Sequence, residues 1–443
     1  MPIGTVRKTD ILSREAYRSR LSASSFPAAE RQDFVSLEWE EKRGAVSARF
    51  GDAEFDTKGN AMSSEPYQEA LDWRHHIHEN PELGFDVGNT ASFVVSHLKR
   101  LGCDEIIRDI GGTSVVGMIN GAAGDGRTIA LRAELDALPI EETGSVAWRS
   151  QIPGRMHACG HDGHMAMLLG SARLLAESRN FAGHVALIFQ PAEEKGGGGR
   201  EMVKAGLMER CSIDAVYGMH NMPGLPVGRF STRPGALMAE TAEFDIHVIG
   251  RGGHAAHPNE TVDPILIAAE ITLALQSIAS RAADPRDAVV VSITRTQGGS
   301  AYNIIPTEVV LSGTIRSLRR ADTEMAVRKL KAICEGCAAM HGGIAKVVLH
   351  EGYPITFNSP EQTRIACTAA AEIVGADNVD ANARPSLGSE DFSFMLEARP
   401  GAMILIGNGD TVGLHHPAYD FNDEAIPHGI RYWCGLIAAE LGA

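Results

Sequence analysis

The sequence lacks three features that mark other classes of protein: a basic block, a membrane-length apolar run and a cysteine framework. No block of Lys and Arg occurs in its 443 residues, and the formal net charge is −15. This charge argues against nucleic acid and anionic membranes as main partners. No apolar run approaches the ~18 residues of a membrane span, and residues 1–20 contain no signal-peptide core. The seven cysteines are scattered and odd in number, which favours a reducing cytoplasm over disulfide bonds.

The composition, 44% apolar and 22% charged, is that of a globular protein long enough for two domains. Residues 1–61 differ from the rest, because their apolar residues are sparse and aperiodic. We expect a poorly ordered N-terminal extension there. A transit peptide is disfavoured by Asp10 and Glu15, which interrupt the basic pattern. Alternatively, Met62 is the natural start, with Ser64 capping the first helix.

Short apolar strands alternate with helices over much of the remaining chain. Such strands are typical of an α/β sheet that helices cover on both faces. Asp162 is expected to cap a helix that runs to Ser178. The predicted strands are 127–132, 184–189, 215–219 and 402–406, with a further helix near 361–374.

Residues 243–352 form a separate unit in the sequence. Their elements follow the order β-α-β-β-α-β of a ferredoxin-like fold. The predicted boundaries are 244–249, 263–280, 288–294, 308–315, 321–340 and 345–350. We therefore predict an inserted α+β domain at 243–352, within a catalytic domain formed by 62–242 and 353–443.

Metal-binding side chains recur where the predicted strands end. The stretch MHACGHDGHM, which starts at Met156, holds one Cys and three His, with Cys159 and His161 in a loop before a helix. The carboxyl ends of strands are where open α/β sheets build their sites, so we expect these side chains to meet. The others are Asp136, Glu193, Glu194, His220, His415 and His416.

The ligand types favour a catalytic rather than a structural metal site. A structural zinc site needs four closed ligands, usually including Cys pairs, whereas this motif has one Cys. One thiolate with imidazoles and carboxylates suits Zn, Mn, Co or Ni. If five of these side chains bind metal, they exceed the four ligands that one tetrahedral ion needs. We therefore infer two ions that share a ligand. Of the adjacent Glu193 and Glu194, one can bind metal while the other acts as general base, unless they are an exposed acidic pair. The glycines of 195–200 are expected to form a flexible loop that allows close backbone approach.

With these residues in view, the chain resembles the dinuclear-metal aminoacylase and carboxypeptidase superfamily. The closest branch contains hippurate hydrolases, N-acyl-amino-acid amidohydrolases and auxin-conjugate amidohydrolases. The resemblance runs from Trp73 to Phe421, and residues 1–61 match nothing in it. The motifs that carry it are HENPEL at His78, RAELDALP at Arg132, HACGHDGH at His157, QPAEEKGGG at Gln190, GHAAHP at Gly253, NIIP at Asn303, GTIR at Gly313, SEDF at Ser389 and LHHP at Leu414.

The resemblance implies a role for each residue of the metal site. Glu193 is then the general base, and Asp136 orients a metal ligand from behind. His415 is favoured over His416 as the ligand in the last motif. Glu134 stands where this branch more often has Asp. The implied ligands of the two metal ions are Cys159, His161, Glu194, His220 and His415.

The resemblance also implies a fold and an activity. The inserted domain would be a lid that forms a homodimer and lends His254 to the partner's active site, while Asn303 and Arg316 would hold the carboxylate of the substrate. The expected reaction is hydrolysis of N-acyl amino acids to a carboxylic acid and a free amino acid. The alternatives are a dipeptidase or carboxypeptidase of the same superfamily, and a metal-dependent binding module without catalysis. The intact Glu193 disfavours the last of these.

Overall fold

The computed structural model describes residues 65–442, and its largest feature is an eight-stranded mixed sheet with the strand order β1-β2-β4-β3-β5-β16-β6-β15. The extension predicted over 1–61, together with Ser64, lies outside the described residues. The strands are β1 Glu105–Arg108, β2 Val115–Asn120, β3 Thr128–Glu134, β4 His184–Gln190, β5 Ala215–Met222, β6 Phe230–Ser231, β7 Gly235–Met238, β8 Glu240–Ile249, β9 Gly253–His254, β10 Val289–Gly298, β11 Ile304–Ile305, β12 Glu308–Ser317, β13 Ile344–His350, β14 Thr356–Asn358, β15 Val379–Asp380 and β16 Gly401–Gly407.

Helices cover both faces of this sheet, as the sequence predicts. Val185 and Leu187 of β4 belong to one apolar core, whereas Ala186 and Ile188 between them belong to the core on the other face. Alternate residues of a strand point to opposite faces, so a strand buried on both sides is apolar throughout. The helices are α1 Glu65–Glu79, α2 Gly88–Leu101, α3 His161–Ser178, α4 Gly198–Lys204, α5 Leu207–Arg210, α6 Pro264–Ser277, α7 Arg320–Met340, α8 Pro360–Val374, α9 Ser393–Ala398 and α10 Ile426–Leu441.

The four central strands, β4, β3, β5 and β16, run parallel to one another. Their carboxyl ends therefore lie at one edge of the sheet. The segments that follow them carry the predicted metal-binding residues, and this arrangement brings together stretches of chain far apart in sequence.

The start of α3 differs from the sequence prediction. Asp162 does not cap the helix, because the helix begins at His161 and Asp162 lies in its first turn. The cap position is held by Gly160, whose backbone is left-handed (φ 92°) and suits glycine. The Asp162 carboxylate instead accepts hydrogen bonds from Arg74 and His78 of α1. His161 is thus a helical residue and not part of the preceding loop.

A second sheet has the predicted β-α-β-β-α-β order, with α6 and α7 as its two helices. It is antiparallel, in the strand order β10-β12-β8-β13. Along β12, Val309 and Leu311 are buried in the core, whereas Ser312, Thr314 and Arg316 alternate with the buried positions and are only half-buried. The fold class predicted from the sequence, an α/β domain with an inserted ferredoxin-like domain, is confirmed.

One helical segment of the described chain, Pro264–Ala282, has the length and composition of a membrane span, with a mean hydropathy of 1.4. It contains Glu270 and Arg281, so the sequence shows no uninterrupted apolar run there. Its Ile271 and Leu275 are buried in the core of the four-stranded sheet. This packing accounts for only part of the apolar composition, since 28% of the segment is buried. A single segment of this kind is weak support for a membrane span.

Candidate metal centre

The predicted ligands meet at the carboxyl edge of the central strands. Cys159 lies in the loop before α3, and His161 is the first residue of that helix. Glu194 follows β4, and His415 lies in the segment after β16. The sequence places His220 past the end of its strand, but β5 continues to Met222, so His220 lies within the strand.

The five side chains form two groups that share one residue. The Sγ of Cys159 lies 3.4 Å from Nε2 of His220, and in each group one ligand atom of every member lies within 4.8 Å of the others. Nε2 of His415 lies 3.2 Å from Oε1 of Glu194. The first group is Cys159, His161 and His220, and the second is Cys159, Glu194 and His415.

Asp136 holds the turn that carries the adjacent glutamates. Its carboxylate accepts the backbone N–H groups of Glu193 at 3.0 Å and Glu194 at 3.1 Å. Its backbone carbonyl lies 2.7 Å from Nδ1 of His161. If Nδ1 carries the proton, it donates to this carbonyl and Nε2 remains the lone-pair nitrogen. Asp136 therefore contacts both the glutamate turn and His161.

Two residues with left-handed backbone conformations flank this centre. His415 has φ 64° and Ala192 has φ 55°, a region that costs a non-glycine residue on the order of 1–3 kcal/mol. The backbone N–H of His415 donates to the carbonyl of Ala158 at 2.8 Å. This bond ties the His415 segment directly to the loop that carries Cys159.

The site holds more buried negative charge than its own side chains neutralise. Burial, and then the charges of Glu390 and Glu194, raise the pKa of the Glu193 carboxyl well above its usual value. Burial, followed by Glu194 and Glu193, likewise raises the pKa of the Cys159 thiol. Both groups therefore favour their protonated forms unless a cation lies beside them.

The imidazoles differ in charge preference. Burial lowers the pKa of His220 to about 3, which keeps its ring neutral. For His161, burial is outweighed by Glu134 and Glu194, which raise the pKa of the ring. A hydrogen bond to Glu194 raises the pKa of His415. The neutral His220 can offer a nitrogen lone pair to a metal, whereas the nearby carboxylates favour the protonated rings of His161 and His415.

These residues fit a pair of divalent cations. Nε2 of His161 is buried and has no hydrogen-bond partner among residues 65–442. An orphaned buried nitrogen is costly, and a metal ion would accept its lone pair. The donor set of one thiolate, three imidazoles and a carboxylate suits borderline transition metals. Two positive ions would also offset the charge that raises the pKa values of Glu193 and Cys159.

The sequence did not reveal the partners of His164, which form a buried network behind His161. The ring of His164 lies 2.8 Å from Glu134 through Nδ1 and 2.8 Å from the Asn221 side chain through Nε2. Both ring nitrogens are thus engaged. The geometric group formed by Glu134, His161 and His164 is therefore better described as hydrogen bonding. The alternating polar residues of RAELD, which starts at Arg132, were the available signal for this network.

A second missed network surrounds Glu193. Glu193, Glu390 and Asp391 approach one another within 4.8 Å. The buried guanidinium of Arg132 donates to Glu390 and to Asp391 at 2.8 Å each, and also to Glu134. The SEDF motif signalled these residues, but its contact with β3 spans about two hundred and sixty residues of sequence and has no local pattern.

The glycines after Glu194 form only part of the loop that the sequence predicts, because Gly196 and Gly197 precede a helix. Gly198 and Gly199 begin α4. The close backbone approach is present, because a Cβ on Gly198 would lie 1.7 Å from the carbonyl oxygen of Pro191. The backbone N–H of Gly199 donates to Asp391 at 2.8 Å. Gly199 thereby links the SEDF segment to the start of α4.

The three predicted substrate residues lie apart from the five ligands. His254 and Asn303 are exposed neighbours beside a small two-stranded ribbon, where the N–H of Ala255 donates to the carbonyl of Asn303. Among the described residues, no hydrogen bond or ion pair joins either of them to the metal centre. Arg316 donates to the backbone carbonyl of Leu387, 3.0 Å away, in the segment that leads to Glu390.

Gly160 is predicted to be essential to the geometry of this centre. Its φ of 92° strains any L side chain, and a Cβ would lie 2.4 Å from Oδ1 of Asn221 and 2.7 Å from the Tyr419 hydroxyl. Gly160→Ala should lower the free energy of unfolding by at least about 1–3 kcal/mol, measured by chemical denaturation. Gly336→Ala is the control: it lies in α7 with no atom within 4 Å of the added Cβ, and should stabilise by about 0.5–1 kcal/mol. Equal stability of the two variants would contradict this account.

Comparison with known proteins agrees with the fold and the centre. A family model described as Peptidase family M20/M25/M40 matches residues 130–439. The chain is 40% identical to hippurate hydrolase of Campylobacter jejuni, with 82% of this chain and 94% of that protein covered. It is 41% identical to thermostable carboxypeptidase 2 of Saccharolobus solfataricus, covering 77% and 87%.

A solved structure is similar throughout the same region. It is the YXEP protein of Bacillus subtilis, described as a dinuclear metal binding peptidase of the M20 family. The TM-score is 0.74 at 33% identity, and 85% of this chain and 98% of that one are covered. The superfamily resemblance read from the motifs is thereby confirmed. The chain belongs to the M20/M25/M40 peptidase family.

Proposed function

We propose that this chain is a metal-dependent amidohydrolase that cleaves N-acyl amino acids to a carboxylic acid and a free amino acid. The observation that carries the proposal is the convergence of five potential ligands beside a further buried carboxylate, Glu193, which lies within 4.8 Å of His161 and Glu194. The relationship to hippurate hydrolase supports an acylated amino acid as substrate. A binding module without catalysis has no need of the extra carboxylate.

The two groups of side chains would each hold one divalent ion. His161 and His220 belong to one group, Glu194 and His415 to the other, and Cys159 is common to both. We propose Cys159 as the shared ligand, because its thiolate carries the charge that two neighbouring cations stabilise. Zn, Mn, Co and Ni all suit this donor set.

Glu193 would carry the protons of the reaction. When bound, divalent ions act as Lewis acids that make a water molecule more acidic and polarise an acyl carbonyl. Glu193 accepts a proton from the attacking water and then donates it to the nitrogen of the leaving amine. Its position is fixed by its backbone, since Asp136 accepts its N–H and Tyr353 donates to its carbonyl at 2.7 Å.

Arg316 would bind the carboxylate of the substrate. Its planar guanidinium can pair with both carboxylate oxygens. It lines a cavity of about 510 Å³ on the face of the four-stranded sheet opposite the helices. Asn303 would bind the same carboxylate, and His254 would stabilise the oxyanion in the active site of the partner subunit. Because all three residues lie in 243–352, this domain would act as the lid of the active site.

A homodimer through the inserted domain is supported by an exposed apolar stripe on α6. Ile265 and Leu266 are each 50% exposed and Leu273 is 75% exposed. These residues lie on one side of the helix, opposite the residues buried in the lid core, and such patches are typical of interaction surfaces. We also propose a cytoplasmic location, because a reducing compartment keeps the Cys159 thiol free to bind metal.

The dimer is tested by Leu273→Asp. The added charge should make the protein a monomer in sedimentation velocity at concentrations where the unsubstituted chain is a dimer. Activity should fall with it, because the partner's His254 no longer reaches the site. Phe357→Asp is the control: Phe357 is 54% exposed on β14 outside the inserted domain, and this variant should stay dimeric. A dimer that survives Leu273→Asp would place the interface elsewhere.

The activity is tested by a hydrolysis screen of the full chain. Benzoyl-, acetyl- and indoleacetyl-amino acids are offered to protein stripped by chelation and then reloaded separately with Mn, Co, Ni or Zn. Hydrolysis should be abolished by stripping and restored by at least one metal. Dipeptides and peptides with a free C-terminus form a second arm, because of the relationship to a carboxypeptidase. Faster cleavage of these peptides than of the N-acyl amino acids would make peptides the substrate class. Turnover without metal would exclude the mechanism.

Glu193→Gln separates proton transfer from metal binding. It should lower kcat by at least the ~10²–10⁴-fold typical of a general acid–base while metal content, measured by plasma mass spectrometry, stays unchanged. Cys159→Ala should instead reduce metal content. Retention of near-normal kcat in Glu193→Gln would assign the general base to another residue.

A further inference from the structure

We propose that Arg74 is a positioning residue for the metal centre, because one buried guanidinium joins the two chain segments that carry His161 and His415. The inference rests on the proposed function, since those two residues are ligands only in that assignment. Arg74 lies in α1, which supplies none of the five ligands. Its role would be to set the distance between segments that do.

The guanidinium of Arg74 contacts three carboxylates. It is fully buried, and its Nε donates to Oδ2 of Asp162 at 2.9 Å. Its Nη1 donates to Asp423 at 2.9 Å, and its Nη2 donates to Asp420. Arginine has five N–H donors in a planar fork, so one side chain can serve three acceptors in different directions.

The first of these contacts fixes the start of α3. Asp162 follows His161 directly in the first turn of the helix. The Asp162 carboxylate is held a second time from α1, because Nδ1 of His78 lies 2.8 Å from the same oxygen. Nε2 of His78 lies 3.5 Å from Glu142. A shift of Asp162 would carry the His161 backbone with it, since the two residues are adjacent in a helical turn.

The other two contacts fix the segment that contains His415. That segment connects β16 to the short 3₁₀ turn Asp423–Ala425 and has no regular secondary structure. Asp420 also accepts a hydrogen bond from Nε1 of Trp148 at 3.2 Å, and Asp423 pairs with His75 at 2.9 Å. Beside the backbone bonds from His415 to Ala158 and from Thr143 to Pro417, side-chain contacts with α1 therefore hold a segment that no strand ladder fixes.

This network is sensitive to the exact shape of the arginine. Lysine keeps the charge but has a compact ammonium group that cannot reproduce the planar fork. Removing one partner of a buried ionic network leaves the remaining charges uncompensated. The carboxylates of Asp162, Asp420 and Asp423 would then separate, and the two ligand segments would separate with them.

A purely structural role for Arg74 predicts different behaviour. Arg173 of α3 pairs with Glu69 of α1 at 2.8 Å and also joins these two helices, but it lies away from the ligands. If α1 matters only as a packed helix, disturbing Arg173 or Arg74 should affect metal binding alike. If Arg74 positions ligands, only the Arg74 network should affect it.

The test compares full-length Arg74→Lys, Asp423→Asn and the control Arg173→Lys. Each protein, loaded with Co²⁺, is titrated with a competing chelator. Metal retention is followed by elemental analysis, and ligand geometry by the visible and thiolate-to-cobalt absorption bands. Loss of a residue that orients metal ligands typically weakens metal affinity ~10–100-fold. Arg74→Lys and Asp423→Asn should show a loss of this size with altered bands, whereas Arg173→Lys should match the unsubstituted chain.

The outcomes distinguish this inference from the proposed function. If the unsubstituted chain holds no cobalt, the proposed function fails and the inference fails with it. If the unsubstituted chain holds cobalt, and Arg74→Lys and Asp423→Asn release it no more readily than Arg173→Lys, only the inference is wrong. Asp423→Asn removes a single carboxylate at the edge of the network and carries the comparison alone if Arg74→Lys does not fold.

Discussion

The structure depends on one electrostatic constraint: acidic groups are gathered in a buried place where their own partners do not neutralise them. Glu193 is nine-tenths buried beside Glu390 and Asp391, and Cys159 is buried beside Glu194. Arg132 compensates part of this charge on one side. The remainder favours protonated groups or bound cations. A fold that accumulates such charge at a sheet edge is organised around cations.

The parallel strands explain how that charge can be gathered at all. β3, β4, β5 and β16 deliver chain segments to one edge with fixed spacing, so each ligand needs only the right sequence position. The strand-borne His220 and the helix-borne His161 are held by backbone hydrogen bonds. His415 has no such element. Its segment is held by the backbone bonds from His415 to Ala158 and from Thr143 to Pro417, and by side-chain contacts further along.

Much of this could be predicted from the sequence, and the failures have physical causes. The apolar strands and the β-α-β-β-α-β order are encoded locally, so the sheet and the inserted domain were predictable. Asp is a preferred residue at the N-cap of a helix, but the Asp162 carboxylate accepts hydrogen bonds from Arg74 and His78 instead of capping α3. Those partners lie more than eighty residues away in sequence. Glu390 and Asp391 contact Arg132 across a longer span, 258 and 259 residues, so no local pattern reveals them.

The two ends of the centre are not equivalent, and this sets the direction of approach for a substrate. The His415 side chain is 51% exposed and that of Glu194 is 11% exposed, whereas His161 and Glu134 are buried. Among the described residues of the ligand set, the His415 side is therefore the side most open to water and substrate. The catalytic carboxylate proposed here, Glu193, lies between that open side and the buried Arg132 network, so it can exchange protons with substrate while its backbone stays fixed. The least regular segment of the site is thus also its most exposed one, and its contacts with Arg74 hold His415 in place while that side stays open.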